Sequence, residues 1–339
     1  MSAISQPSNK HRSPFWPLLL ISLGLVWVLS NIGVLSGASL NMLFRLWPLV
    51  LIIIGLQLLV GGGRSNLGTW IGIVGVVLIV ALVLVGPSLG WASSADVKTA
   101  SYSEPLGDTT AAQIIISPSV AETVIQPLTA SNVLFEANLR YLGEVEYSAE
   151  GGSEKVIEIK QPNQPVNVSF WDFGVFHSEQ DLRWNIGLNP NVPLALDVNG
   201  GVSNARLDLA ELDITRLNVN TGVGSIDLSL PATGSLYNVT LNGGTGSINV
   251  TVEAGATVDI DIRGGVGSVT IDVPDDAAVR VDASTGVGGI DIPARFERIS
   301  GDEDKFVGDE GMWQTANYEN AESRITIHYD GGVGSFVIR

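Results

Sequence analysis

A short glycine corner followed by an alternating apolar strand recurs five times in the last third of this chain. The copies are Gly222-Val223-Gly224-Ser225-Ile226, Gly244-Thr245-Gly246-Ser247-Ile248, Gly265-Val266-Gly267-Ser268-Val269, Gly286-Val287-Gly288-Gly289-Ile290 and Gly332-Val333-Gly334-Ser335-Phe336. Their second glycines are separated by 22, 21, 21 and then 46 residues. A fixed period of this size marks a stacked, nearly one-dimensional architecture, because each repeat buries its apolar face only against its neighbours. A rack of this kind serves as a scaffold or contact surface more readily than as a catalytic pocket.

Within a repeat the period is two. Val258, Ile260 and Ile262 alternate with Asp259, Asp261 and Arg263, which puts the apolar set on one face and the charges on the other. Each period holds two such strands, with the glycine turn at one corner. The other corner is Pro231-Ala232-Thr233-Gly234, Glu253-Ala254-Gly255 or Pro274-Asp275-Asp276. Aligned on the corners, Ile226, Ile248, Val269, Ile290 and Phe336 stack, as do Ser225, Ser247, Ser268 and Ser335. The pattern predicts an all-β C-terminal region, either a β-solenoid-like rack of two-strand rungs with a period near 21 residues or an antiparallel meander. The 46-residue step contains an acidic insertion at about 294–323, read as a loop or decorated rung that returns at Arg324-Ile325-Thr326-Ile327. Upstream, β-rich runs such as Gln113–Ile116, Val133–Ala137 and Trp184–Leu188 make 96–199 the first part of the same β region, with 200–339 as the glycine-cornered rack.

Charge divides the chain at Asp96. No Asp or Glu precedes it, and all 35 acids follow, against 14 of the 18 Lys and Arg, so the later part carries −21 and the earlier part +4. A domain this acidic repels phosphate backbones, which excludes nucleic acid as a partner. The absence of cysteine removes disulfides, thiolate metal sites and thiol catalysis. The front segment is apolar. Runs at about 15–35, 43–60 and 70–87 each approach the roughly 20 residues that cross about 30 Å of hydrocarbon. No small-residue cleavage site follows the first, and two more runs do, which argues against a signal peptide. Residues 1–14 then form a cytoplasmic tail and 15–92 a transmembrane region of three helices. Lys10, Arg12 and Arg64 are the topology-determining cations, and under the positive-inside rule they place the acidic β region outside the cytoplasm. The expected localisation is the cell membrane, multi-pass, with the lipid bilayer as a partner.

Two stretches resemble a known family. Leu29-Ser30-Asn31-Ile32-Gly33-Val34-Leu35 followed by Leu46-Trp47-Pro48-Leu49 is similar to the LiaI–LiaF-like transmembrane region. Trp184–Leu188, Val192–Leu196, Leu207-Asp208-Leu209, Leu217–Gly224 and Leu230-Pro231 resemble the toast-rack domain of LiaF-like proteins, as does the tail from Asn317 to Ala321 and its closing corner. The resemblance implies an accessory role in envelope-stress sensing, in which a membrane sensor histidine kinase is modulated by protein–protein contact. A structural or adhesive surface module is the alternative, and self-association is a further expected contact.

Catalytic and cofactor chemistry is missing from the motifs. No glycine corner is followed by the lysine of a Walker loop, and the corners open strands rather than the helix of a dinucleotide fold. Asp227 and Asp291 fall one place too late for a calcium roll, whose period is also shorter. Asp172-Phe173-Gly174 lacks every other kinase element. His11, His177 and His328 have no metal-ligand spacing, while the Asp259–Asp261 face reads as solvated, with a surface cation as the sharper alternative. Trp171, Phe173, Phe176 and Trp184 form an aromatic cluster in sequence, read as core or a lid over the first rung, with a ligand platform as the sharper alternative. The chain is therefore expected to be no enzyme, with no cofactor or metal. The residues singled out are the structural glycines Gly222, Gly224, Gly244, Gly246, Gly265, Gly267, Gly286, Gly288, Gly332 and Gly334.

Overall fold

The computed structural model describes residues 97–129, 132–162, 182–202, 204–302 and 308–339, with the single positions Ile52, Val74, Leu78 and Ala81. The chain divides into two compact units, Met1–Ala95 with Asn167–Glu179, and Asp96–Val166 with Gln180–Arg339. The first falls almost wholly outside the described residues. The second holds the strands.

Alternation of apolar and polar residues builds these strands, because a period of two sends one set inward and the other to solvent. The first half of the stack uses paired short strands: β2 (Ala111–Ser117) with β3 (Glu122–Pro127), β8 (Leu194–Val202) with β9 (Ala205–Asp208), and β10 (Ile214–Val223) with β11 (Ile226–Leu230). In β12 (Tyr237–Val252), β13 (Val258–Asp272) and β18 (Ile325–Ile338) one strand runs through the glycine corner unbroken. β14 (Val279–Val287) and β15 (Ile290–Asp291) complete the set.

Pairing between levels is parallel and in register. Val219, Leu241, Ile262, Tyr329 and Ala283 form one inward column. Past the corner, Ile226, Ile248, Val269, Phe336 and Ile290 form a second. All but the half-buried Ile290 belong to one continuous core of buried side chains, and Ile290 packs against it. Core burial at roughly 25 cal/mol per Å² of apolar surface is the main force holding the levels together.

Spatial order departs from chain order at both ends. β18, the last strand, lies between β13 and β14. β2 lies between β8 and β6 (Glu154–Lys160), and β3 between β9 and β7 (Arg183–Leu188). Antiparallel strands then cover the ends. β4 (Val133–Tyr141) pairs with β7, β1 (Lys98–Pro105) with β4, and β5 (Glu146–Gly151) with β6. At the other end β17 (Asp309–Thr315) pairs with β14 and β16 (Phe296–Asp302) with β17, so the residues expected as an insertion form a hairpin there.

These pairings correct the expected fold class. All eighteen strands join one hydrogen-bonded sheet that folds back on itself as a flattened, nearly closed barrel. A meander fails because successive repeats run parallel. A β-solenoid of separate two-strand rungs fails because strands continue around the corner and the last one is inserted between earlier ones. The physical reason lies in the second glycine of each corner. Gly224, Gly246, Gly267, Gly288 and Gly334 have φ between 148° and 154°, a conformation that residues with side chains rarely adopt. At Gly246, Gly267 and Gly334 the backbone therefore bends while its ladder continues.

The membrane expectations are corrected as well. Among the described residues no helix is long and apolar enough to cross a membrane. A run of apolar residues fixes hydropathy, whereas spanning also needs a continuous helix rising about 1.5 Å per residue. The expectations of transmembrane helices, a bilayer partner and multi-pass localisation are thus not met among the described residues. Apart from the single positions Ile52, Val74, Leu78 and Ala81, the three expected spans, at about 15–35, 43–60 and 70–87, lie outside the described residues, as do the cations Lys10, Arg12 and Arg64.

Candidate functional site

Along the bend, the outermost polar residue of each level falls into one line. Lys160 stands beside Ser117 at one end. Asn199, Asn220 and Asn242 follow in register, and Arg263 and Asp330 complete the line. These residues wall a furrow of about 1050 Å³. At about 4.8 Å per strand, the seven positions span about 29 Å. The three asparagines are linked side chain to side chain: Asn220 Nδ2 donates to Asn199 Oδ1 at 2.8 Å, and Asn242 Nδ2 donates to Asn220 Oδ1 at 2.7 Å. An amide has two N–H donors and two acceptor lone pairs. Within this ladder Asn220 thus keeps one of each for a ligand.

The floor is bare backbone, chiefly the pairs Gly243-Gly244 and Gly264-Gly265. Close stacking explains the glycines. A Cβ on Gly222, Gly244, Gly265, Gly286 or Gly332 would lie 2.1–2.7 Å from a glycine carbonyl oxygen of the adjacent level. On Gly246, Gly267, Gly288 or Gly334 that distance would be 1.5–1.7 Å.

Between the two glycines of each corner stands one outward side chain, and Val202, which follows Gly200-Gly201, joins the same row. Val202, Val223, Thr245, Val266, Val333 and Val287 follow one another in register across six levels. The five valines are each 48–54% exposed. They form an apolar ridge about 24 Å long at about 4.8 Å per level. Scattered exposed valines need no explanation, but an aligned row on a strongly acidic domain is a candidate contact surface.

Behind the furrow the outer face is a polar lattice. Asp197 accepts hydrogen bonds from Asn218 Nδ2 at 2.6 Å and Gln113 Nε2 at 3.0 Å, and faces Arg216 Nη2 at 3.1 Å. Burial works against its ionisation, yet the bonds from Asn218 and Gln113 and the charge of Arg216 outweigh it and hold the carboxyl below its usual range. His328 is exposed, with Nε2 3.9 Å from Asp259 and Nδ1 3.8 Å from Asp282. Asp261 is 2.8 Å from Arg263 Nη2. Among the described residues, no group of three or more His, Asp or Glu is placed to hold a metal ion.

Trp184 is fully buried on β7, so it is core and no ligand platform. Trp171, Phe173, Phe176, His11, His177 and the Asp172–Gly174 tripeptide lie outside the described residues. The furrow and its amide ladder went unnoticed in the sequence. Their signal in the sequence is an Asn one or two places before a glycine, at steps of 21 and 22 residues. The ridge was visible too, as the middle residue of each corner triplet.

Three family models match the chain. One described as the LiaF transmembrane domain matches residues 15–97. The N-terminal domain of toast_rack matches 93–251, and the C-terminal domain described as cell wall-active antibiotics response LiaF matches 235–338. No curated protein matches. Two solved structures match over most of their own length. One, described as a cell adhesion protein from Clostridium sporogenes ATCC 15579, is 19% identical with a TM-score of 0.48, covering 72% of this chain and 99% of its own. The other, described as an adhesin from Bacteroides fragilis NCTC 9343, is 10% identical with a TM-score of 0.27, covering 73% and 98%.

Proposed function

The chain belongs to the LiaF-like proteins that carry a toast-rack domain, and from that premise we propose that it is a structural and adhesive contact module of the cell envelope. The family's domains are envelope-associated regulatory and structural modules rather than catalysts, so its general role is regulation at the envelope without enzymatic chemistry. The finer reading rests on the surface of this chain. The valine ridge supports it: five half-exposed valines in register, interrupted once by Thr245, make a mostly apolar row that fits an apolar face on a partner. Contact surfaces gain affinity from apolar side chains removed from water together, and a rigid backbone lowers the entropy lost on binding. The ridge belongs to the β module itself, so the contact reading takes precedence over the expectation of kinase modulation.

The test is a full-length Val223→Asp/Val266→Asp variant, compared with the parent chain in cells. Attachment of the cells to one another and to a surface should fall several-fold, with protein level and melting curve preserved. An envelope-stress reporter should stay unchanged. Unaltered attachment together with a shifted reporter would overturn the adhesive reading in favour of signalling.

A further inference from the structure

Acids are nearly absent from the furrow of a domain that is otherwise dominated by them. From Asp96 onward the chain has 35 acids against 14 bases. The furrow's 21 lining residues include one acid, Asp330, and two bases, Lys160 and Arg263. Lys160 sits at one end of the wall and Arg263 with Asp330 at the other. Between them the wall is amide and hydroxyl only: Ser117, Asn199, Asn220 and Asn242.

We propose that this furrow is a binding groove for an uncharged, β-linked glycan strand, lying across the levels with one sugar to about each 4.8 Å step. Three observations lead there. First, a charged ligand would find no counter-charge in the middle of the wall, whereas a polyol needs neutral groups that both donate and accept. The amide ladder supplies them at every level, since each asparagine keeps hydrogen-bonding capacity after bonding its neighbour. Second, the floor is almost all glycine, with Thr221 its one side chain between the wall and the corner, and Pro118 and Pro162 add apolar surface at its end. Sugar rings present alternating hydroxyl edges and C–H faces, and this combination suits both. Third, the floor disfavours an extended peptide. Peptides bind sheets by adding main-chain hydrogen bonds at an open edge. Here Thr221, Gly243, Gly264 and Gly331 are consecutive partners inside the ladder, so the floor is no edge. Gln161 donates to the Leu142 carbonyl and accepts from the Ser119 N–H at the end of the furrow, so the asparagines are the amides that recur level by level along the wall.

The groove goes beyond the adhesive reading and is independent of the ridge. Its test uses purified full-length protein and a β-1,4-linked hexasaccharide of N-acetylglucosamine, titrated by calorimetry with saturation-transfer NMR as a second readout. Saturable binding is expected, weakened at least tenfold in Asn220→Leu and in Asn242→Leu, with both melting curves preserved. Hexagalacturonate, which is acidic, should bind at least tenfold more weakly than the neutral sugar. No saturable binding, or equal binding by both variants and the parent, would overturn the groove. Equal binding of the acidic hexasaccharide would overturn its selectivity, and an extended peptide that binds where the glycan does not would replace it. If the glycan fails while Val223→Asp/Val266→Asp still loses attachment, the furrow alone is wrong.

Discussion

A Cβ built on Gly334 would lie 1.5 Å from the carbonyl oxygen of Gly267, its in-register partner on a strand far away in sequence. That contact is possible only because the last strand is inserted into the middle of the stack. It also shows that glycine here is demanded twice, by φ of 154° and by the neighbouring backbone.

Gly334→Ala and Gly267→Val should therefore destabilise the domain by about 1–3 kcal/mol or more, the usual scale of stored backbone strain. Gly264→Ala is the contrast. Its Cβ would meet only the Tyr329 ring, at 3.8 Å and beyond, and no unusual φ applies. Removing glycine's freedom from the unfolded chain should leave that variant neutral or more stable by about 0.4–1 kcal/mol. Denaturant melts of the three variants would decide it; equal losses at all three positions would sink the distinction.

Truncation after Arg324 tests the inserted strand. In a sequential repeat stack, loss of a terminal repeat leaves the rest folded. Here the loss of β18 removes Ile327, Tyr329 and Phe336 from the core and separates β13 from β14. The expected outcome is loss of the cooperative thermal transition and rapid proteolysis throughout. A truncated chain that melts close to the parent would contradict the observed strand order.

Asp197 gives a pH prediction with a definite sign. Its folded carboxyl is held below the usual range, so its ionised form contributes stability that is full above the unfolded value of about 3.9. That contribution is lost as pH falls from about 4 through the lowered folded value. Asp197→Asn should be less stable than the parent at pH 7 and should lose less stability on acidification. Denaturant midpoints at matched pH values measure this, and parallel pH dependence of the two chains would refute it.

Much of the architecture could be read from particular residues. Val258, Ile260 and Ile262 announce a buried strand face because alternation of side chains is a local property of extended chain. The glycine corners were recognised as bends for the same local reason. The 46-residue step, by contrast, looked like an insertion within an ordered series. Ile327 suits a place beside Ile260 as well as one beside Val281, and in the folded chain it takes both. Side chains this alike carry no record of which neighbours they will have.

The repeated glycine corner and the two-residue period determined that this region is an all-β array of strands turning on bare backbone. Both follow from sterics within a few residues. Tertiary structure alone decided that the corners bend one continuous sheet, that the last strand enters between earlier ones, and that asparagines from three levels align into a wall. Those outcomes depend on hydrogen-bond partners brought together from distant parts of the chain, and backbone partners are chosen by the packing of the whole core, which no local stretch of sequence specifies.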